Sequence, residues 1–269
     1  MDILTYNFFQ NALAIGILAS IACGVIGPFV VAKKISFLGG GIAHSSFGGI
    51  GIAYFFGFNP LIGAIIFSIL SALGIGAVSK KFKDRDDTII GAMWSLGMAI
   101  GLVFIYLTPG YSADLFSYLF GNILMTSSAD LILAVILNII ILTSVFVLYR
   151  WLAAIIFDEE FAEVTNIAVF PVYLFLLCLV ALTIVILIRI VGVILVIALL
   201  TLPAATAQIF NKSFKKIIFW SIVFGCLFTT AGIFLSYYLN MPSGPMIIFV
   251  AVFVYLTFLT GNKFVSKKL

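Results

Sequence analysis

Long apolar runs, broken by short polar gaps, carry almost the whole chain. The runs are predicted as helices at about Phe8 to Ala32, Phe37 to Phe56, Leu61 to Val78, Ile89 to Leu107, Leu131 to Ile156, Pro171 to Ile188, Val191 to Thr206, Ile217 to Tyr238 and Met246 to Thr260. About 20 apolar residues in a helix cross about 30 Å of hydrocarbon. The stretch from Ala168 to Leu200 is too long for one crossing, and Arg189 and Gly192 divide it. Tyr111 to Asp130 is only moderately apolar, which suits a surface or re-entrant helix. The pattern therefore predicts an all-α polytopic membrane bundle of about eight to nine crossings, with residues 1–269 as one transmembrane domain.

Charge orients this bundle. Lys33-Lys34, Lys80 to Arg85, Arg150, Lys212 to Lys216 and Lys263 to Lys268 fall on alternate gaps. The gaps at Asn59-Pro60, Pro109 to Asp130 and Asn240 to Pro245 hold no lysine or arginine, and Arg189 is the one misfit. The positive-inside rule puts the lysine-bearing side in the cytoplasm, the N-terminus outside and the C-terminus inside. The first ten residues lack a basic leader and a small-residue cleavage site, so the first run is predicted as a retained span.

Composition narrows the chemistry. Of 269 residues, 64% are hydrophobic and 9% charged, which leaves no room for a sizeable extramembrane domain. The net charge of +4 resides in loop anchors and is no nucleic-acid signature. Cys23, Cys178 and Cys226 lie inside apolar runs and read as small buried hydrophobes. HExxH is absent, and so is GxxxxGK[ST], so this chain holds neither a zinc-protease motif of that kind nor a P-loop. An active transporter built on it needs its motor on another polypeptide. Too few polar residues converge inside the spans to favour an intramembrane enzyme or a channel.

Two stretches stand out. In LGGGIAHSSFGG the sole histidine, His44, is flanked by Gly39, Gly40, Gly41, Gly48 and Gly49, with Ser45 and Ser46 beside it. Glycines permit close backbone approach, and an ionisable group in a span marks a functional site by default. Neutral imidazole is a common ligand for zinc, copper, iron and nickel. The plainer alternative is a histidine that bonds a neighbouring helix. In VGVILVIALLTLPAATAQIFNKSFKK an apolar helix meets Pro203 and continues through Ala204, Ala205, Thr206, Ala207 and Gln208 into a basic stretch. Small residues there allow a partner to grip a short helix, and the alternative is a kinked span with a basic stop. Arg189 reads as a structural anchor, or as a partner of Asp114 or Asp130. Asp158, Glu159, Glu160 and Glu163 form an acidic patch that is either a solvated loop or a docking surface for a basic partner.

At these residues the chain resembles the membrane permeases of the zinc/manganese/iron-uptake ABC transporters. ISFLGGGIAHSSFGGIGIAYFFG, DLFSYLFGNIL, FDEEFAEVTNI, VGVILVIALLTLPAATAQIF and LNMPSGPMIIFVAVFVYL follow that family's order over nearly the whole length. The resemblance implies a type II ABC importer-like permease, a non-catalytic subunit in the cell membrane. It implies a second copy, a cytoplasmic ATPase gripping about 203–216, an extracytoplasmic metal-binding protein, and a transported divalent metal with no permanently bound cofactor. His44 then falls on the metal position, with Gly40, Gly41, Ser45 and Ser46 along the translocation path. The family's aspartate four residues before the histidine is Gly40 here, its serine is Ala43 and its later proline is Gly48, so the carboxylate half of the pair is missing. Related permeases carry iron chelates or cobalamin-like compounds, the alternative cargo.

Overall fold

The structure, a computed structural model, describes residues 6–81, 86–109 and 115–266. Among these it is built of ten α-helices and no strand: α1 (Asn7–Ala32), α2 (Ser36–Phe56), α3 (Pro60–Lys81), α4 (Asp86–Leu107), α5 (Leu115–Phe120), α6 (Ser128–Phe157), α7 (Glu159–Val164), α8 (Val169–Phe210), α9 (Phe214–Leu239) and α10 (Ser243–Ser266). A 3-10 turn, Ile123–Met125, joins α5 to α6.

Seven of the helices are long and apolar enough to cross a bilayer. The glycine-rich α2 is not among them, although it is 21 residues long. α8 is two limbs, because Gly192 breaks it with φ 76° and ψ 166°, a backbone conformation open only to glycine. The chain doubles back there. A Cβ placed on Gly39 would lie 3.4 Å from Leu200 Cδ2 and 3.9 Å from Val180 Cγ1, so points on both limbs flank one spot on α2. Gly192 divides α8 where the sequence predicted a division between two runs.

Around that bend the moderately apolar segment folds over the bundle. A Cβ on Gly121 would sit 2.5 Å from Gly192 N, so the α5 turn presses backbone to backbone on the bend. Asn122 N–H donates to the Arg189 carbonyl at 3.3 Å. From Leu115 the segment is a short helix and a 3-10 turn that lead into α6 and form no span of their own, whereas 111–114, including Asp114, lie outside the described residues.

Small residues set the helix spacing. Ser20 Oγ donates to Gly16 O at 2.8 Å and lies 3.0 Å from Thr229 Oγ1, which ties α1 to α9. α2 is buried on nearly every face, against α3, α4 and both limbs of α8. In lipid, such contacts are made by close van der Waals packing, because the hydrophobic effect does not drive helix against helix there. Pro28 and Pro203 sit inside α1 and α8 without ending either helix.

Charge segregates as the alternation predicts. At one end, Lys33 pairs with Glu159 and donates to Ile155 O at 2.9 Å, Lys80 lies 4.0 Å over the Phe170 ring, and Lys215 lies 5.7 Å over Tyr149. At the other end, Arg189 donates to Asp130 Oδ2 at 2.6 Å and packs 5.1 Å over Tyr118. Asp130 also closes a capping box with Ser127 at the start of α6.

Candidate functional site

α2 supplies His44, and three glycines, Gly49, Gly63 and Gly101, decide how its neighbours approach. Beside Gly49 the Gly63 backbone comes so near that an added Cβ would lie 2.6 Å from the Gly63 carbonyl carbon, bringing α3 against α2. A Cβ on Gly101 would lie 2.6 Å from Phe47 O, bringing α4 in on the other side. This close approach carries Trp94 of α4 onto His44. The two rings stack with centroids 3.8 Å apart and planes 10° apart.

His44 is 8% exposed, and its Nδ1 is buried with no hydrogen-bond partner among the described residues. A buried polar nitrogen without a partner costs about 1–3 kcal/mol. The hydroxyls beside it are already engaged. Ser45 Oγ donates to Met93 O at 2.9 Å, which fastens α2 to α4, and Ser46 Oγ donates to Ala43 O at 2.6 Å within its own helix. Both oxygens keep acceptor capacity.

Gly40 sits one turn from His44, on the same stripe of α2. The end of the Ile197 side chain, from the second limb of α8, occupies the space a side chain at Gly40 would need. Gly41 faces Ile90 and Ile75. No group of three or more histidine, cysteine, aspartate or glutamate side chains converges among the described residues. The stripe offers a single nitrogen ligand per chain, flanked by an indole and an isoleucine.

The second candidate stretch takes the form of the continuing span, the plainer of its two readings. Pro203 to Gln208 belong to the second limb of α8, which stays helical through Phe210, so no separate short helix forms there. Pro203, Ala204, Thr206 and Ala207 are buried, Ala205 and Gln208 are half-buried, and the exposed part of the turn into α9 is Lys212 and Ser213. Thr201 and Thr206 each return a hydroxyl bond to the carbonyl four residues back, at 2.7 Å. The small residues serve packing: a Cβ on Gly27 of α1 would lie 3.4 Å from Ala204 Cβ.

The acidic patch is α7. Asp158 caps it, accepting from Phe161 N–H at 2.9 Å. Glu159 and Glu163 share a cleft of about 580 Å³ with Lys33, Ser79, Lys80 and Tyr173.

Trp94 went unnoticed in the sequence. A tryptophan near the end of a span reads as an interfacial anchor, and nothing in its own neighbourhood points to a ring on another helix.

The ABC 3 transport family matches residues 5–262. The chain belongs to the ABC 3 transport family. This family member is 45% identical over 253 residues to an uncharacterised membrane protein of Synechocystis sp., with 94% of this chain and 90% of that protein covered. It is 35% identical to the manganese transport system membrane protein MntC of Listeria monocytogenes, over the same shares of the two chains. Its fold matches PsaBC from Streptococcus pneumoniae, solved in complex with a Fab, with TM-score 0.86, 32% identity and coverage of 94% and 91%.

Proposed function

We propose that this chain is the membrane-spanning permease of an ABC importer that carries a divalent metal ion, zinc, manganese or iron, into the cytoplasm. The observation that carries the reading is the match to a manganese transport membrane protein over 94% of the chain, together with membership of a transport family. A fold without a P-loop leaves ATP hydrolysis to a partner ATPase. Residues 1–269 act as one permease domain, with the lysine-bearing end in the cytoplasm. Two copies enclose one path, and an extracytoplasmic binding protein delivers the ion.

His44 contacts the ion in transit. In support, its Nδ1 is buried and uncommitted, on a helix whose glycines bring backbone close. Gly40, Gly41, Ser45 and Ser46 line the path beside it, and two His44 side chains face each other across the dimer axis. A nitrogen without a carboxylate makes a weak site, which suits release after binding. The end of α8 from Pro203 through Gln208 and the turn to Lys216 transmit the motion of the ATPase to the bundle.

The test is metal content. Cells lacking their own zinc and manganese importers are supplied with this permease, its ATPase and its binding protein, and metals are measured by mass spectrometry. ATPase-dependent accumulation of a divalent metal is expected. No accumulation of any metal, with all three proteins present in the membrane fraction, contradicts the reading.

A further inference from the structure

On an exposed side of the bundle, between α6 and α9 at the lysine-bearing end, lies a groove of about 390 Å³. Its wall is apolar: Val25 of α1, Leu142, Val145 and Phe146 of α6, and Ile218 of α9. Its mouth is not. Lys215 bends over the Tyr149 ring, 5.7 Å from the centroid, and both residues line the groove. Among the described residues no carboxylate pairs with Lys215.

More positive charge surrounds this mouth. Arg150 is exposed one turn beyond Phe146, on the same face of α6, and Lys212 and Lys216 are exposed beside Lys215. Of the nearby carboxylates, Glu159 pairs with Lys33, Glu163 lines the cleft that holds Lys80, and Asp158 accepts from Phe161 N–H as the cap of α7. Trp151 and Trp220 are exposed on the same two helices, 52% and 41%, one turn or two from the helix ends that carry the cations. Exposed tryptophans on spans sit at headgroup level. The groove therefore joins a hydrocarbon-facing wall to a cationic mouth at the depth where a membrane presents phosphates.

We propose that this groove is a binding site for one anionic phospholipid, its acyl chain along Val25, Leu142 and Val145 and its phosphate on Lys215. The volume suits the site, since ligand pockets span about 300–1,000 Å³. A zwitterionic lipid offers the same chain but cancels the headgroup charge, so the site discriminates by charge. Basic pockets between spanning helices recognise anionic headgroups on this principle, at about 1 kcal/mol for each lysine or arginine near the surface. Phe214, next to Lys215, packs on Phe29 and Phe157 with centroids 4.9 and 5.3 Å away, so a lipid here bears on the start of α9. The site is independent of the metal reading and of its ligands.

Native mass spectrometry of the full-length permease, delipidated and then given phosphatidylglycerol or phosphatidylcholine, tests this. Wild type and a Lys34→Ala control are expected to retain one phosphatidylglycerol per chain and to release phosphatidylcholine. Lys215→Ala is expected to bind phosphatidylglycerol about fivefold more weakly, the loss of one cation's attraction. Leu142→Trp, which fills the groove from an exposed position, is expected to abolish retention while the thermal unfolding midpoint stays near wild type. Equal retention of the two lipids, or unchanged phosphatidylglycerol binding in both variants, overturns the proposal. So does stabilisation by inorganic phosphate alone that equals that of the lipid, since the groove would then play no part. A change of oligomeric state in Leu142→Trp with lipid retention intact also overturns it, marking the groove as an interface between copies.

Discussion

The imidazole of His44 lies flat on the indole of Trp94, with ring centroids 3.8 Å apart and planes 10° apart. The stack covers one face of the chain's only histidine and leaves it 8% exposed. Trp94→Ala is expected to speed modification of His44 by diethylpyrocarbonate several-fold, and Trp94→Phe to restore most of the protection. A single histidine makes the readout unambiguous by mass spectrometry. Equal rates in wild type and Trp94→Ala would show that the indole does not shield the ring.

Close backbone packing around α2 predicts a sharp contrast between glycines. A Cβ on Gly49 would press on the Gly63 backbone, whereas one on Gly91 would meet nothing within 4 Å. Gly49→Ala is expected to cost about 1–3 kcal/mol through overpacking. Gly91→Ala is expected to be neutral or to stabilise by about 0.5–1 kcal/mol through better helix propensity. Thermal unfolding in detergent separates the two.

The Arg189–Asp130 pair is largely withdrawn from solvent, with side-chain exposures of 21% and 10%. Removing one partner strands the other charge. Asp130→Ala is expected to destabilise by about 3–5 kcal/mol, and the double variant Asp130→Ala with Arg189→Met by less than Asp130→Ala alone. A double variant that unfolds earlier than Asp130→Ala would contradict the assignment of the cost to the stranded arginine.

Orientation follows from lysine placement and has its own check. With the native cysteines replaced, a cysteine at the exposed Met241 is expected to react with an impermeant maleimide from outside intact cells. One at the exposed Glu160 is expected to react only after the cells are opened. The reverse pattern inverts the bundle.

The fold was legible because its signals are local. Apolar runs fix the spans, and the misfit Arg189 beside Gly192 marks the point where a 42-residue helix doubles back. Asp130, one of the two partners the sequence offered Arg189 beside a plain anchoring role, is bonded to it. The site was harder to read. His44 stands out by composition, but Trp94 and Ile197 reach it from α4 and α8, and their contacts depend on helix register, which no local pattern encodes. At Pro203 the alternative of a span that runs on through the proline is the one the structure takes: α8 stays helical through Phe210, and small side chains around it let the helix pack against α1.

Gly40 lies one turn from His44, against the end of Ile197. A carboxylate at this position needs the space now held by the end of the Ile197 side chain. Gly40→Asp combined with Ile197→Ala is expected to tighten metal binding and shift preference among zinc, manganese and iron, whereas Gly40→Asp alone is expected to lower the amount of folded permease. Isothermal titration and size-exclusion profiles read the two effects separately.

A divalent metal carried by this permease is expected to pass His44. The most direct measurement is ATP-driven uptake of radioactive manganese and zinc into proteoliposomes holding the permease, its ATPase and its binding protein. Wild type is expected to accumulate at least one of the two ions, and His44→Ala, inserted at the same level, to lose about tenfold or more of that rate, since even outer-shell partners of a metal are worth about that much. Uptake by His44→Ala at the wild-type rate for both metals would contradict the account and leave His44 a packing residue beneath Trp94.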